Sequence, residues 1–302
     1  MKKSLLFVVA ITLISAFSEV LAQTPAPMHG PPKALMIVRE DIKPGMMPAH
    51  NKHSASFANI FEKLQTPNHR IALVPVAGSE NEVVYVTAVD SFKELEEILN
   101  TTDKKMAGVS GSMKVELDQL NKEAPVLHAG MRDMLAIYRP EMSFNPGVNI
   151  AQMRYFSITT VRLKPGHDAQ YNDYVQTMVN VAREKAKVDN LHLATFQIIS
   201  GGPAGTYMVF RPMKTLAELD EPIGMKVRAA MSDDMKKDAD KALGDAVMSS
   251  ETSTYWMTPD MSYVSKEFAA ADPGFWHPKS EMVVTPKPKK RAPKVAAAPP
   301  TN

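Results

Sequence analysis

Residues 34–45 read ALMIVREDIKPG, and residues 155–166 read YFSITTVRLKPG. Both are extended, β-type runs that end in the same Lys-Pro-Gly, at 43–45 and 164–166. A second pair lies further on, Pro140-Glu141-Met142-Ser143-Phe144 against Pro259-Asp260-Met261-Ser262-Tyr263. The two offsets are 121 and 119 residues. Separate matches at nearly one spacing read as an internal repeat.

The stretches between the matches follow one order. In the first copy the sequence predicts a strand over 35–42 and a helix over 47–65, where Phe57, Ile60, Phe61 and Leu64 recur at helical spacing. Strands follow over 71–76 and 83–89, around the turn Gly78-Ser79-Glu80-Asn81. A short helix over 91–98, a longer one over 103–129 and a strand over 132–139 complete the unit. The second copy predicts a strand over 155–163, a helix over 167–187, and strands over 192–199 and 206–213 about a Gly-rich turn at 200–205. A short helix at 215–219, a helix over 224–249 and a strand over 252–258 end it.

Each copy is therefore β-α-β-β-α-β, the ferredoxin-like split βαβ arrangement. Its third strand is a continuous apolar run, Val83-Val84-Tyr85-Val86 or Tyr207-Met208-Val209-Phe210, as suits a strand covered on both faces. Helices cover one face of such a sheet, and the other face needs a partner, which the second copy provides. The expected fold is α+β: tandem ferredoxin-like βαββαβ units at 34–144 and 154–263, joined by a linker at 145–153 and packed sheet to sheet.

On these residues the chain resembles the dimeric α+β barrel superfamily, with the dimer fused into one chain by tandem duplication. It is distantly similar to NIPSNAP and antibiotic-biosynthesis-monooxygenase-type proteins, over about residues 34–263. The resemblance implies a pocket between the sheet and the helices of each unit. For haem-binding members it implies an axial histidine from a helix.

The ends differ from the middle. Residues 1–22 read as a signal peptide: a basic Met1-Lys2-Lys3, an apolar run from Leu5 to Phe17, and cleavage between Ala22 and Gln23. The mature protein is then expected to be secreted or periplasmic, with no transmembrane segment. A linker at 23–33 leads into the first unit, and an extension at 264–285 follows the second. Residues 286–302 form a basic Pro/Ala/Lys tail with too little apolar area to order itself. Net charge over 302 residues is only +2, which gives no global drive toward nucleic acid. The absence of cysteine excludes disulfides, thiolate catalysis and Cys-ligated zinc.

No nucleophile elbow, zinc-protease or phosphate-loop motif is present. The candidate ligand-binding residues are rings on the first helix of each copy. His50 and His53 continue the stripe of Phe57 and Ile60; Tyr171 and Tyr174 stand at the equivalent places, and Trp256 lies in the last strand. A metal at His50 and His53 requires a third ligand, with Glu62 and His69 nearby in sequence, and no metal is expected. His128, read as lying near the end of the long helix, is the candidate haem axial ligand, though no cofactor is the expectation. Three functions fit: a secreted small-ligand-binding or stress-related protein, taking a small apolar or aromatic molecule; a cofactor-independent monooxygenase-like or haem-binding enzyme; or an envelope-associated structural protein whose tail touches an anionic surface. A monomer and a homodimer fit equally.

Overall fold

The computed structural model describes residues 30–277; the signal-peptide reading, most of the first linker and the basic tail lie outside them. In the first half β1 (Ala34–Ile42) leads to α1 (Met47–Leu64), β2 (Ile71–Ala77), β3 (Glu82–Val89), α2 (Phe92–Ala107), α3 (Gly111–Leu127) and β4 (His128–Tyr138). The second half runs β5 (Tyr155–Leu163), α4 (Asp168–Tyr174), a π turn (Val175–Asn180), α5 (Val181–Lys185), β6 (Ala194–Ser200) and β7 (Thr206–Met213). It continues through α6 (Ile223–Ala229), α7 (Asp233–Ala246) and β8 (Val247–Met257). Short helices α8 (Lys266–Ala270) and α9 (Pro273–Trp276) follow.

The strands close into one barrel in the order β1-β3-β2-β8-β5-β7-β6-β4. The expected sheet-to-sheet packing is thus completed by edge-to-edge pairing. β2 pairs with β8, and β4 pairs with β6, each across a register shift. Two four-stranded sheets would expose four edges; closure leaves none. The inner faces fill the barrel with Ile37, Leu73, Val84, Met134, Ile158, Met208 and Met257. Helices pack outside.

The repeated motifs serve this closure. After β1 and β5, Gly45 and Gly166 take φ of 79° and 83°, which a side chain disfavours. The lysine before each turn closes the end of a helix. Lys43 donates from Nζ to the Pro125 carbonyl at 2.9 Å and from its backbone to Leu127 at 2.9 Å. Lys164 does the same to Gly244 and Ala246, at 2.8 Å each. A cation at a helix C-terminus meets the unpaired carbonyls there. The Pro-x-Met-Ser motifs reach across the seams. Ser143 Oγ accepts from the Thr195 amide at 3.0 Å, and Ser262 Oγ accepts from the Ala72 amide at 2.9 Å.

Four expected boundaries move. The helices expected at 103–129 and 224–249 each break, at Gly108-Val109-Ser110 and Ala230-Met231-Ser232. The strands after them begin at His128 and Val247, ahead of the apolar runs. His128 is therefore the first residue of β4, not part of a helix.

Each seam carries a glycine in the left-handed region, Gly78 at φ +135° and Gly201 at φ +78°. A methyl at Gly201 would overlap the Asp133 carbonyl of β4, and one at Gly78 would meet the Ser253 side chain of β8. Backbone cannot yield as a hydroxyl can. Gly201→Ala should cost about 2–4 kcal/mol in urea unfolding, and Gly78→Ala about half of that; equal, negligible costs would contradict the tight seam.

Candidate functional site

Two places stand out: a polar cluster outside the barrel in the first half, and a cavity at one barrel end.

The cluster forms where β1, α1 and β4 meet. Side chains along β1 alternate, so Arg39 points into the barrel while Glu40 points out toward α1. Pro48 in the first turn suits the start of α1, which presents His50, His53 and Ser54, all buried, to the sheet. His128 pairs with Ile42 just past a bulge at the end of β1. The result places His50 Nε2 2.7 Å and His128 Nε2 3.2 Å from one oxygen, Glu40 Oε2. The His50 and His128 rings meet edge to face at 5.1 Å. Ser54 Oγ lies 3.4 Å from His50 Nε2 and accepts a hydrogen bond from the Tyr85 hydroxyl at 2.7 Å. The Arg70 guanidinium stacks over the Tyr85 ring at 4.3 Å.

Carbonyl partners fix two tautomers. A carbonyl only accepts, so His128 donates from Nδ1 to Ala124 at 2.8 Å, and His53 donates from Nε2 to Leu120 at 3.0 Å. His50 Nδ1 is buried with no partner. Burial pushes the Glu40 carboxyl up, but the His50 hydrogen bond and the pull of His50, His128 and Arg70 hold it below its ordinary value. His53 also lines a surface groove between α1 and α3, with Leu120, Gln119 and Glu123.

The second half builds the same corner from apolar groups. Leu163 pairs with Val247 past an equivalent bulge, as Ile42 does with His128. Val161, Tyr171 and Val247 stand where Glu40, His50 and His128 stand in the first half, inside a cluster with Leu163, Val175, Tyr207 and Ala246. Tyr171 is buried there against Tyr174 at 6.1 Å, and Arg183 faces both phenols.

The cavity, of about 460 Å³, opens at the barrel end where β1 and β5 begin. Leu35, Val86, Phe156, Phe196 and Phe210 line it from the strands, and Val148, Ile150 and Phe268 from the linker and α8. The Trp276 indole donates to the Ala151 carbonyl at 2.7 Å and ties α9 to that linker. The opposite end is plugged by ionic groups: Arg39 donates to Glu82 at 2.7 Å, as does the Tyr255 hydroxyl at 2.6 Å.

Sequence reasoning thus located the cluster's histidines but not its carboxylate. Glu40 carries no motif; only the register of β1 brings it to α1. His69 packs on Tyr263 at 4.9 Å and Glu62 is exposed, so neither joins the cluster. His50, His53, Tyr171, Tyr174 and Trp256 do not line the cavity, which lies inside the barrel and not between sheet and helices. Trp256 is 44% exposed and rests on Tyr155 outside. The haem role of His128 does not fit this geometry: Glu40 and the His50 ring fill the space that Nε2 faces.

No family model and no curated protein matches this sequence. Solved structures of similar outline include a candidate monooxygenase from Fusobacterium nucleatum, at 8% identity and TM-score 0.46, covering 75% of this chain and 93% of that one. An anthrone oxidase-like protein shares 11% identity at TM-score 0.45, over 75% of this chain and 91% of its own. A candidate chlorite dismutase shares 9% at TM-score 0.47, over 76% and 96%. Identities and scores this low describe an outline and no more. The fold itself defines an α+β protein with a closed eight-stranded barrel.

Burial pushes the phenols of Tyr85 and Tyr171 up to about 12, against Arg70 and Arg183 respectively, while the Glu40 carboxylate and the Tyr174 phenol add to the rise. The fold favours the neutral phenols, so their stabilisation is complete below the ordinary pKa of about 10 and is lost as pH rises toward 12. Tyr171→Phe should delete a component with midpoint about 12 from the phenolate absorbance titration; deletion of a component at the ordinary value would contradict the buried setting.

Proposed function

We propose that this protein binds one small molecule with an apolar body and a polar end, held in the mouth of the barrel. The observation that carries this reading is the cavity. Its volume of about 460 Å³ suits a small organic ligand, and aliphatic and aromatic side chains dominate its wall. Each Å² of apolar ligand surface removed from water there contributes about 25 cal/mol. Asn149, His192 and Glu267 at the wall supply a few polar groups to orient one end of the ligand. The lids support the reading further. Linker residues 146–151 and the α8 segment cover a barrel end that the eight strands alone would leave open.

Under the same reading the chain carries one half-barrel plan twice, and residues 1–22 direct its export. The ligand-binding function then rests on the barrel and not on the termini.

Ala194 lines the cavity and is half-buried, so a larger ring there fills the space instead of straining the core. Titration with anilinonaphthalene sulfonate should give saturable, one-site fluorescence enhancement. Ala194→Trp should weaken it at least about tenfold, or ~1.4 kcal/mol, with the circular dichroism spectrum unchanged. Enhancement that never saturates, or is indifferent to Ala194→Trp, would rule the cavity out as the binding place.

A further inference from the structure

We propose that the first half holds a divalent first-row transition-metal ion, ligated by Glu40, His50 and His128, at a site separate from the barrel cavity.

The first argument is geometric. Each of the three residues offers one ligand atom, and these atoms all lie within 4.8 Å of one another. Around a tetrahedral ion with bonds of ~2.1 Å, ligand atoms sit ~3.4 Å apart. The separations from Glu40 Oε2, 2.7 and 3.2 Å, are close to that value and need only small side-chain adjustments. The three residues come from β1, α1 and the start of β4; the ladder ties β1 to β4, and a short turn joins α1 to β1.

The second argument concerns protons. His128 donates from Nδ1 to Ala124, so in the neutral ring Nε2 carries a lone pair. That lone pair faces a carboxylate oxygen at 3.2 Å. Two lone pairs at this range repel, and a cation between them, a proton on Nε2 or a metal ion, removes the conflict. A ligating histidine whose other nitrogen donates to a backbone carbonyl is also the usual second layer of a metal site.

The third argument is the comparison between halves. At the equivalent positions Val161, Tyr171 and Val247 offer no carboxylate or imidazole, and the carboxylate of that corner, Asp168, instead accepts from the Tyr207 hydroxyl at 2.9 Å. Folding therefore does not require the polar set. Placing Glu40 and His50 there, with His50 fully buried and Nδ1 unpartnered, costs stability that the apolar corner avoids. A bound ion offsets that cost.

Two imidazoles and one carboxylate are the donor set of zinc and of non-haem iron(II) sites that keep open positions. Ser54 and the Tyr85 hydroxyl border the remaining space, and the partly exposed side chains of His128 and Glu40 leave the cluster open to solvent.

The test uses the full chain, stripped with chelator and then dialysed against Zn²⁺, with Co²⁺ as a spectroscopic probe. The wild type should retain about one Zn²⁺ and show visible ligand-field bands with Co²⁺. Glu40→Gln and His128→Gln should each weaken Zn²⁺ binding by ~10–100-fold or more. The combined variant Glu40→Val/His50→Tyr/His128→Val copies the second half; it should stay folded and hold no ion. A wild type that holds no more Zn²⁺ than this variant would overturn the proposal. So would undiminished binding by Glu40→Gln, a near-isosteric change that decides the matter even if the triple variant misfolds.

Discussion

A four-stranded ferredoxin-like sheet has two problems: edge strands with unpaired backbone groups, and an apolar face with nothing on it. Closure of the barrel removes both at once. β2 and β8, and β4 and β6, satisfy each other's edges, and the inner faces fill one common interior. The most conspicuous sequence features serve this constraint. Gly78 and Gly201 let the chains approach at the seams. Ser143 and Ser262 carry a hydroxyl across to the strand of the other half. Lys43 and Lys164 fasten the C-terminal ends of α3 and α7 to the ends of β1 and β5.

Because closure is supplied by backbone and by these few groups, the outer corners are free to differ. The corner between the first strand and first helix is ionic in one half and aromatic-aliphatic in the other. The barrel ends differ too: one is plugged by Arg39, Glu82 and Tyr255, and the other keeps a cavity under the linker and α8. One scaffold thus offers two separate sites of different chemistry, with little packing shared between them.

Much of the architecture was legible in the sequence because similar short motifs recur in its two halves. The Lys-Pro-Gly and Pro-x-Met-Ser matches gave the halves, and apolar period gave most strands. The helix breaks were not legible: Met106 and Met113 continue an apolar face on either side of Gly108-Val109-Ser110, and period alone does not register a reset by the new N-cap. The early strand starts were hidden because Met131 and Ser249–Thr252 point to solvent, where pairing and not burial defines the strand. The site divides the same way. His50 and His53 show as polar rings on an apolar stripe, whereas Glu40 is one charge among several in β1, and only register and the bulge at Asp41/Ile42 bring it to His128. The cavity is built by six strands and two lids, so no local pattern announces it.

Native-state hydrogen exchange at the seams tests the closed barrel most directly. The amides of Thr258, which donates to Ala72, and Arg139, which donates to Thr195, belong to the two junctions. The account predicts that they exchange only through global unfolding, with the same protection as the central amides of β1 and β5. Junction amides that exchange far faster than those central strands would show two halves that open independently, and would contradict a barrel held shut by its seams.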